Sequence, residues 1–160
     1  MNPSEQFFAA IRNGDVAEVK DMLARQPELQ HARDQRGSTP LVLATYLENL
    51  DTTRALVEAG ADPDTKDGTG NTPLMGVCFK GNLAIARYLL ERGANPSVRN
   101  ATGGTALTFA AMFNRPELVE LLLEHGADPG VRDQRGLSAA DYAREQGLED
   151  LTARLETARN

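Results

Sequence analysis

Side chains able to do covalent or metal chemistry are few in this chain: one cysteine, Cys78, and two histidines, His31 and His125. A nucleophilic mechanism needs a nucleophile, a base within hydrogen-bond reach and a group that orients the base. No such set is grouped here. His125 closes the run Leu123-Glu124-His125-Gly126, where a partly cationic imidazole suits the negative end of a helix. His31 lies in a loop region. Cys78 falls where two helices are expected to pack, a place for a small apolar side chain, whereas a reactive thiolate needs a cationic neighbour and exposure. One Cys and two distant His cannot complete a structural zinc site. Asp62-Pro63-Asp64 with Asp67-Gly68 has carboxylates in the manner of a calcium loop, but lacks the twelve-residue spacing and terminal Glu. These Asp residues read as turn formers. The glycines do not cluster into a phosphate-cradling loop. The chain therefore reads as non-enzymatic, with no catalytic residue, no cofactor and no metal expected.

The bulk properties agree with an ordinary globular protein. Of 160 residues, 41% are hydrophobic and 25% charged, the formal net charge is −6, and there is no Trp. One domain, 1–160, is the expectation at this length. A pI near 4.9 argues against a protein whose main task is gripping phosphate backbones, which leaves a basic footprint. Nothing approaches the ~20 apolar residues of a membrane span. The opening MNPSEQFFAAIRNGD has no basic residue before its short apolar stretch, so no secretory leader is expected. With a single Cys, a reducing, cytoplasmic setting is the expectation; separately, a monomer is expected.

The elements that position the surface residues announce themselves as a repeat. Thr39-Pro40-Leu41 returns as Thr72-Pro73-Leu74 and Thr105-Ala106-Leu107, then weakly as Ser138-Ala139-Ala140, each step being 33 residues. The same step links Gly37, Gly70, Gly103 and Gly136, and the Gly-Ala-Asp/Asn-Pro runs that begin at Gly60, Gly93 and Gly126. Such self-similarity marks a repeat architecture. In the run from Thr72, the threonine suits an N-cap and Pro73 the first helical position. A short helix with Leu74, Val77 and Cys78 inward then ends at Gly81, and a second carries Leu83, Ile85, Tyr88, Leu89 and Leu90 to Gly93. Helices this short are marginal alone and stand by burying apolar faces against neighbouring units.

These residues resemble the ankyrin repeat, whose T-P-L-H-x-A and G-A-D/N pattern the chain follows from about Asp34 to Asp133. The resemblance implies an all-α ankyrin-repeat solenoid of five helix-turn-helix repeats with β-turn fingers, and a surface that binds other proteins. Its boundaries fall at 4–33 for an N-terminal capping repeat, 34–66, 67–99 and 100–132 for full repeats, and 133–160 for a C-terminal capping repeat. The last helix keeps Leu151 and Leu155 but is otherwise polar, as a solvent-facing cap must be. The His of the signature is replaced by Val42, Met75 and Thr108. Thr108 can hydrogen-bond the neighbouring backbone; the two apolar substitutes are expected to leave their turns to packing. Glu48 and Asn114 stand at turns where Gly14, Gly81 and Gly147 occupy the matching positions. Glu tolerates a left-handed backbone poorly, so local irregularity is expected from Tyr46 to Asp51.

Two rows follow from the register. Tyr46, Phe79 and Met112 are equivalent, as are Leu47, Lys80 and Phe113, all near the end of a first helix. By the resemblance, these places and the fingers line a concave face that contacts partners; alternatively some pack between repeats, Met112 above all. Large apolar side chains in an exposed row mark an interaction surface. The second row is basic: Arg33, Lys66, Arg99 and Arg132, with Arg36 and Arg135 nearby. Together the rows suggest a groove for an acidic, partly apolar segment of a partner protein. The competing reading neutralises each basic residue against the Asp34, Asp67, Asn100 or Asp133 that follows it. Other readings of the groove are an enzyme or small-ligand receptor, which needs convergent titratable residues, and a single-stranded nucleic-acid binder in which Tyr46 and Phe79 stack bases.

Overall fold

The structure, a computed structural model, describes residues 1–159. Within them are ten α-helices, one turn of 3-10 helix and no β-strand. The helices follow in antiparallel pairs: α1 (Pro3–Arg12) with α2 (Val16–Arg25), α3 (Pro40–Tyr46) with α4 (Leu50–Glu58), α5 (Pro73–Lys80) with α6 (Leu83–Glu91), α7 (Ala106–Met112) with α8 (Pro116–Glu124), and α9 (Ala139–Glu145) with α10 (Glu149–Ala158). The 3-10 turn, Pro27–His31, follows α2. The first helices form one layer, α3 packing on α5, α5 on α7 and α7 on α9, while α2, α4, α6 and α8 pack in sequence as the second.

Each start is written in the sequence. Thr39, Thr72, Thr105 and Ser138 have extended backbones, and their hydroxyls accept the N–H three residues on. The N–H of the capping residue is answered in turn by the side chain at the fourth signature position. Thr108 Oγ1 accepts from Thr105 N–H at 3.0 Å, and Asp141 Oδ2 from Ser138 N–H at 2.8 Å. Met75 departs from expectation: its sulfur accepts from Thr72 N–H at 3.4 Å, a weak bond that a thioether can make. Val42 has nothing to offer.

What holds the pairs together is a ladder of side chains at the same 33-residue step. Leu41, Leu74 and Leu107 are fully buried in the first layer, and Leu56, Leu89, Leu122 and Leu155 in the second. Between them sit Ala44, Val77, Ala110 and Ala143, which leave no exposed surface. Fully burying one such leucine stabilises by about 1.5–3 kcal/mol, far more than the intrinsic helix preference of a seven-residue segment. One apolar cluster runs unbroken from Phe7 to Leu155.

The expected irregularity at Tyr46–Asp51 is not there. Glu48 takes φ +60° and Asn114 φ +54°, the left-handed geometry of Gly14 (+69°), Gly81 (+86°) and Gly147 (+75°). The N–H of Asn49 bonds Ala44 O at 3.1 Å, as Asn82 N–H bonds Val77 O and Arg115 N–H bonds Ala110 O. Packing on both sides fixes the turn, and Glu48 absorbs the strain in its own backbone.

Between pairs lie tight turns at 34–38, 67–71, 100–104 and 133–137, each closed by a backbone bond from its first N–H to its last carbonyl. In each, the first residue, Asp or Asn, accepts from the backbone N–H groups two and four positions on, as Asp34 does from Arg36 and Ser38, both at 2.9 Å. This is the turn chemistry that short acceptor side chains favour.

Candidate functional site

The aromatic row stands at the C-terminal ends of α3, α5 and α7. Tyr46 is 45% exposed, Leu47 44% and Phe79 38%, the three most exposed large apolar side chains after Met1. Met112, Phe113 and Lys80 are half-buried. The rings form a continuous series. Tyr46 and Phe79 lie nearly parallel with centroids 6.4 Å apart, and Phe79 meets Phe113 edge-on at 4.7 Å. Phe113 in turn stacks near Phe109 at 6.3 Å. Lys80 Nζ sits 4.6 Å from the centre of the Tyr46 ring, an attractive arrangement of cation and ring face.

Two residues that sequence reasoning missed belong here. Phe109 is in register with Leu43 and Gly76, a relation the 33-residue step already contained. Arg115 donates from Nη2 to Phe79 O at 2.9 Å and lies against Gly81, where a Cβ would stand 2.9 Å from its Cζ. It thus fixes the end of the helix that carries Phe79, and no sequence pattern signals this.

The basic side chains do not pair with the residues that follow them. The adjacent acids are occupied with turn N–H groups, and the basic side chains turn to backbone carbonyls instead. Arg33 Nη1 donates to Gly37 O and Lys66 O, both at 2.8 Å. Lys66 Nζ donates to Arg99 O at 3.3 Å, Arg99 Nη2 to Arg132 O at 2.5 Å and Nε to Gly103 O at 3.0 Å. Arg132 Nη1 closes the series on Gly136 O at 2.8 Å and on Asp141 Oδ2 at 3.1 Å. The row is thus a relay in which Arg33, Lys66 and Arg99 each reach the backbone of the next basic residue, and Arg132 ends the series on its own turn. Carbonyls orient the charges of Arg33, Lys66 and Arg99 without neutralising them, Arg132 also meets the Asp141 carboxylate, and all four side chains remain exposed. Arg36 is exposed, and its backbone N–H serves the Asp34 turn.

The residues considered for chemistry lie apart from both rows. Cys78 is fully buried, and burial pushes its thiol up to about 12. His125 Nδ1 faces Leu121 O at 3.0 Å at the end of α8. Among the described residues no three His, Cys, Asp or Glu side chains converge, and no helix is long and apolar enough to cross a membrane. An open cleft of about 300 Å³ lies in the second layer, lined by Val16, Lys20, Asp51, Arg54, Ala55 and Glu58. Its two acids and two bases are of the kind that pair at a surface.

Comparison with known proteins now bears on this geometry. The family model described as ankyrin repeats (3 copies) matches residues 7–100, 60–133 and 93–155. The chain belongs to the ankyrin repeat family. It is similar to the ankyrin repeat protein FPV240 of fowlpox virus (strain NVSL), at 37% identity over 37% of this chain and 14% of that protein. Inversin of Gallus gallus is 34% identical over 40% of this chain and 6% of its own length. The DNA-binding protein RFXANK of Homo sapiens is 38% identical over 31% of this chain and 19% of its own. The chain thus matches less than a fifth of the length of each relative. Ankyrin repeats are in general protein–protein interaction modules and a non-enzymatic type, stacked as an all-α solenoid.

Proposed function

We propose that this chain is a non-catalytic interaction module that binds a partner protein through its concave face and finger turns. In this reading residues 1–160 are one domain of five repeats. Residues 4–33 and 133–160 are the caps, 34–66, 67–99 and 100–132 the full repeats, and the turns at 34–38, 67–71, 100–104 and 133–137 the β-turn fingers. The contact residues are Tyr46, Leu47, Phe79, Lys80, Met112 and Phe113, with Arg33, Arg36, Lys66, Arg99 and Arg132 along the fingers. A cytoplasmic monomer is part of the proposal.

One observation carries it: rings from three successive first helices stack in series, with Tyr46, Leu47 and Phe79 substantially exposed. Water-exposed apolar area in a contiguous patch is what an interface buries, and rings locked against each other lose little entropy when a partner covers them. The test compares the wild-type chain with the Tyr46→Ala/Leu47→Ala variant as baits in extract of the native host. A protein retained by the first and released by the second supports the reading, provided the variant keeps its helical circular dichroism. Equal retention by both overturns the assignment of this face.

A further inference from the structure

Resting on that reading, we infer that the partner offers an extended acidic segment with carboxylates at every third residue, laid along the finger edge and anchored by an apolar side chain at Tyr46–Phe79. Charge distribution comes first. The four finger turns with the residue preceding each (33–38, 66–71, 99–104, 132–137) hold six basic and three acidic residues, a net +3, in a chain of net −6. Everything else therefore carries −9. A basic edge against an acidic body selects carboxylates there and repels them elsewhere.

Immobilisation comes second. Lys and Arg ordinarily lose much rotamer freedom when a ligand fixes them. Here Arg33, Lys66 and Arg99 are already held by carbonyls at the next turn, and Arg132 by Gly136 O of its own. Among the described residues, Arg132 alone of the four makes an ion pair, with Asp141 at 3.1 Å. Binding a carboxylate therefore orders little that is not ordered beforehand.

Spacing comes third. Each of Arg33, Lys66 and Arg99 reaches the backbone of the next cation at a separation of 33 residues, so the row advances one repeat per charge. Packed helices lie roughly 8–10 Å apart. An extended or polyproline segment rises about 3.1–3.4 Å per residue, so three residues span one repeat, and in the polyproline form every third side chain shares a face. A helical segment rises about 1.5 Å per residue and would need roughly 16–20 residues to meet the four cations that about ten extended residues span. The aromatic series stands at the C-terminal ends of the first helices that these turns precede, with the Tyr46 ring against Gly76 of the next helix and Lys80 above it.

The test pans a displayed library of random 15-residue peptides against the full chain. Enriched sequences with Asp or Glu at i, i+3 and i+6 and a Leu, Met or aromatic residue alongside support the inference. A synthetic peptide of that pattern, followed by fluorescence anisotropy, should bind about three- to tenfold more weakly to Arg36→Gln/Lys66→Gln and more weakly as salt rises. A permuted peptide that clusters its acids should bind less well than the patterned one. Enrichment of apolar peptides lost by Tyr46→Ala/Leu47→Ala, but without acidic periodicity, overturns this inference and leaves the interaction face intact. Enrichment indifferent to both variants overturns both. Tighter binding of single-stranded dT15 than of the patterned peptide overturns the inference in favour of nucleic acid.

Discussion

Replacing Glu48 by glycine should make the protein more stable, although it removes a side chain and adds backbone freedom. Glu48 holds φ +60° in a turn where its counterparts Gly14, Gly81 and Gly147 are glycines. A residue with a Cβ in that region costs about 1–2 kcal/mol. Glycine returns about 0.4–1 kcal/mol of this through the greater entropy of the unfolded chain. Among the described residues the one side-chain bond at stake, Asn82 Nδ2 to Glu48 Oε1 at 3.4 Å, is solvent-exposed and contributes little. The net is a gain of about 0.5–1 kcal/mol, or roughly 1–4 °C in melting temperature for a chain of this size. Urea unfolding followed by far-ultraviolet circular dichroism reads it directly, with an unchanged slope as evidence of the same two states. A loss of more than about 1 kcal/mol would refute the argument, since it would mean that Glu48 makes a contact outweighing its strain. The converse change, Gly81→Ala, should cost at least about 1–2 kcal/mol, because φ is +86° and the new Cβ would stand 2.9 Å from Arg115 Cζ.

Further outcomes are expected of other sites. Val42→Thr should stabilise by about 0.5–1 kcal/mol by giving Thr39 N–H the acceptor that Thr108 gives Thr105; thermal melting checks it. The carboxyls of Asp133 and Asp141 are held below the usual carboxylate range. For Asp133, partial desolvation is outweighed by bonds from Tyr142 and the N–H groups of Leu137 and Arg135. For Asp141 the Ser138 N–H leads, helped by Arg144 and Arg132. Their stabilisation is present above about pH 4, the ordinary carboxylate range, and is lost as pH falls through the lowered folded values. Asp141→Asn should therefore lower stability at neutral pH and flatten its decline in acid, measured by urea midpoints from pH 6 to 2.5. Cys78, with its thiol near 12 and no exposure, should react with a disulfide reagent at pH 8 only after denaturation; prompt reaction of the native chain would place it elsewhere. Phe113→Ala should lower the melting temperature more than Tyr46→Ala, because Phe113 is half-buried between Phe79 and Phe109.

The fold was legible because the repeat makes each position appear several times. One threonine before a proline is ambiguous, whereas Thr39, Thr72 and Thr105 in step are not, and all three cap helices. At Glu48 local propensity points to irregularity, whereas the buried Ala44 and Leu56 on either side of the turn hold it to the repeat's geometry. Candidate surface positions followed from register, but their state did not. Exposure of Tyr46 against half-burial of Phe113 depends on which ring lies over which, and the carbonyl relay of Arg33, Lys66 and Arg99 depends on distances between turns that a sequence does not carry. Phe109 stands at a register position whose counterparts, Leu43 and Gly76, are not aromatic, so the 33-residue step alone does not mark it as part of the row.

Hydrogen exchange of the chain, alone and with a bound partner, tests the central claim most directly. A rigid stack presenting one face predicts slowed exchange at the ends of α3, α5 and α7, around 46–48, 79–81 and 112–114, and in the turns at 34–38 and 67–71, with α4, α6 and α8 unchanged. Slowing confined to the second-layer helices, with those ends unaltered, would contradict it.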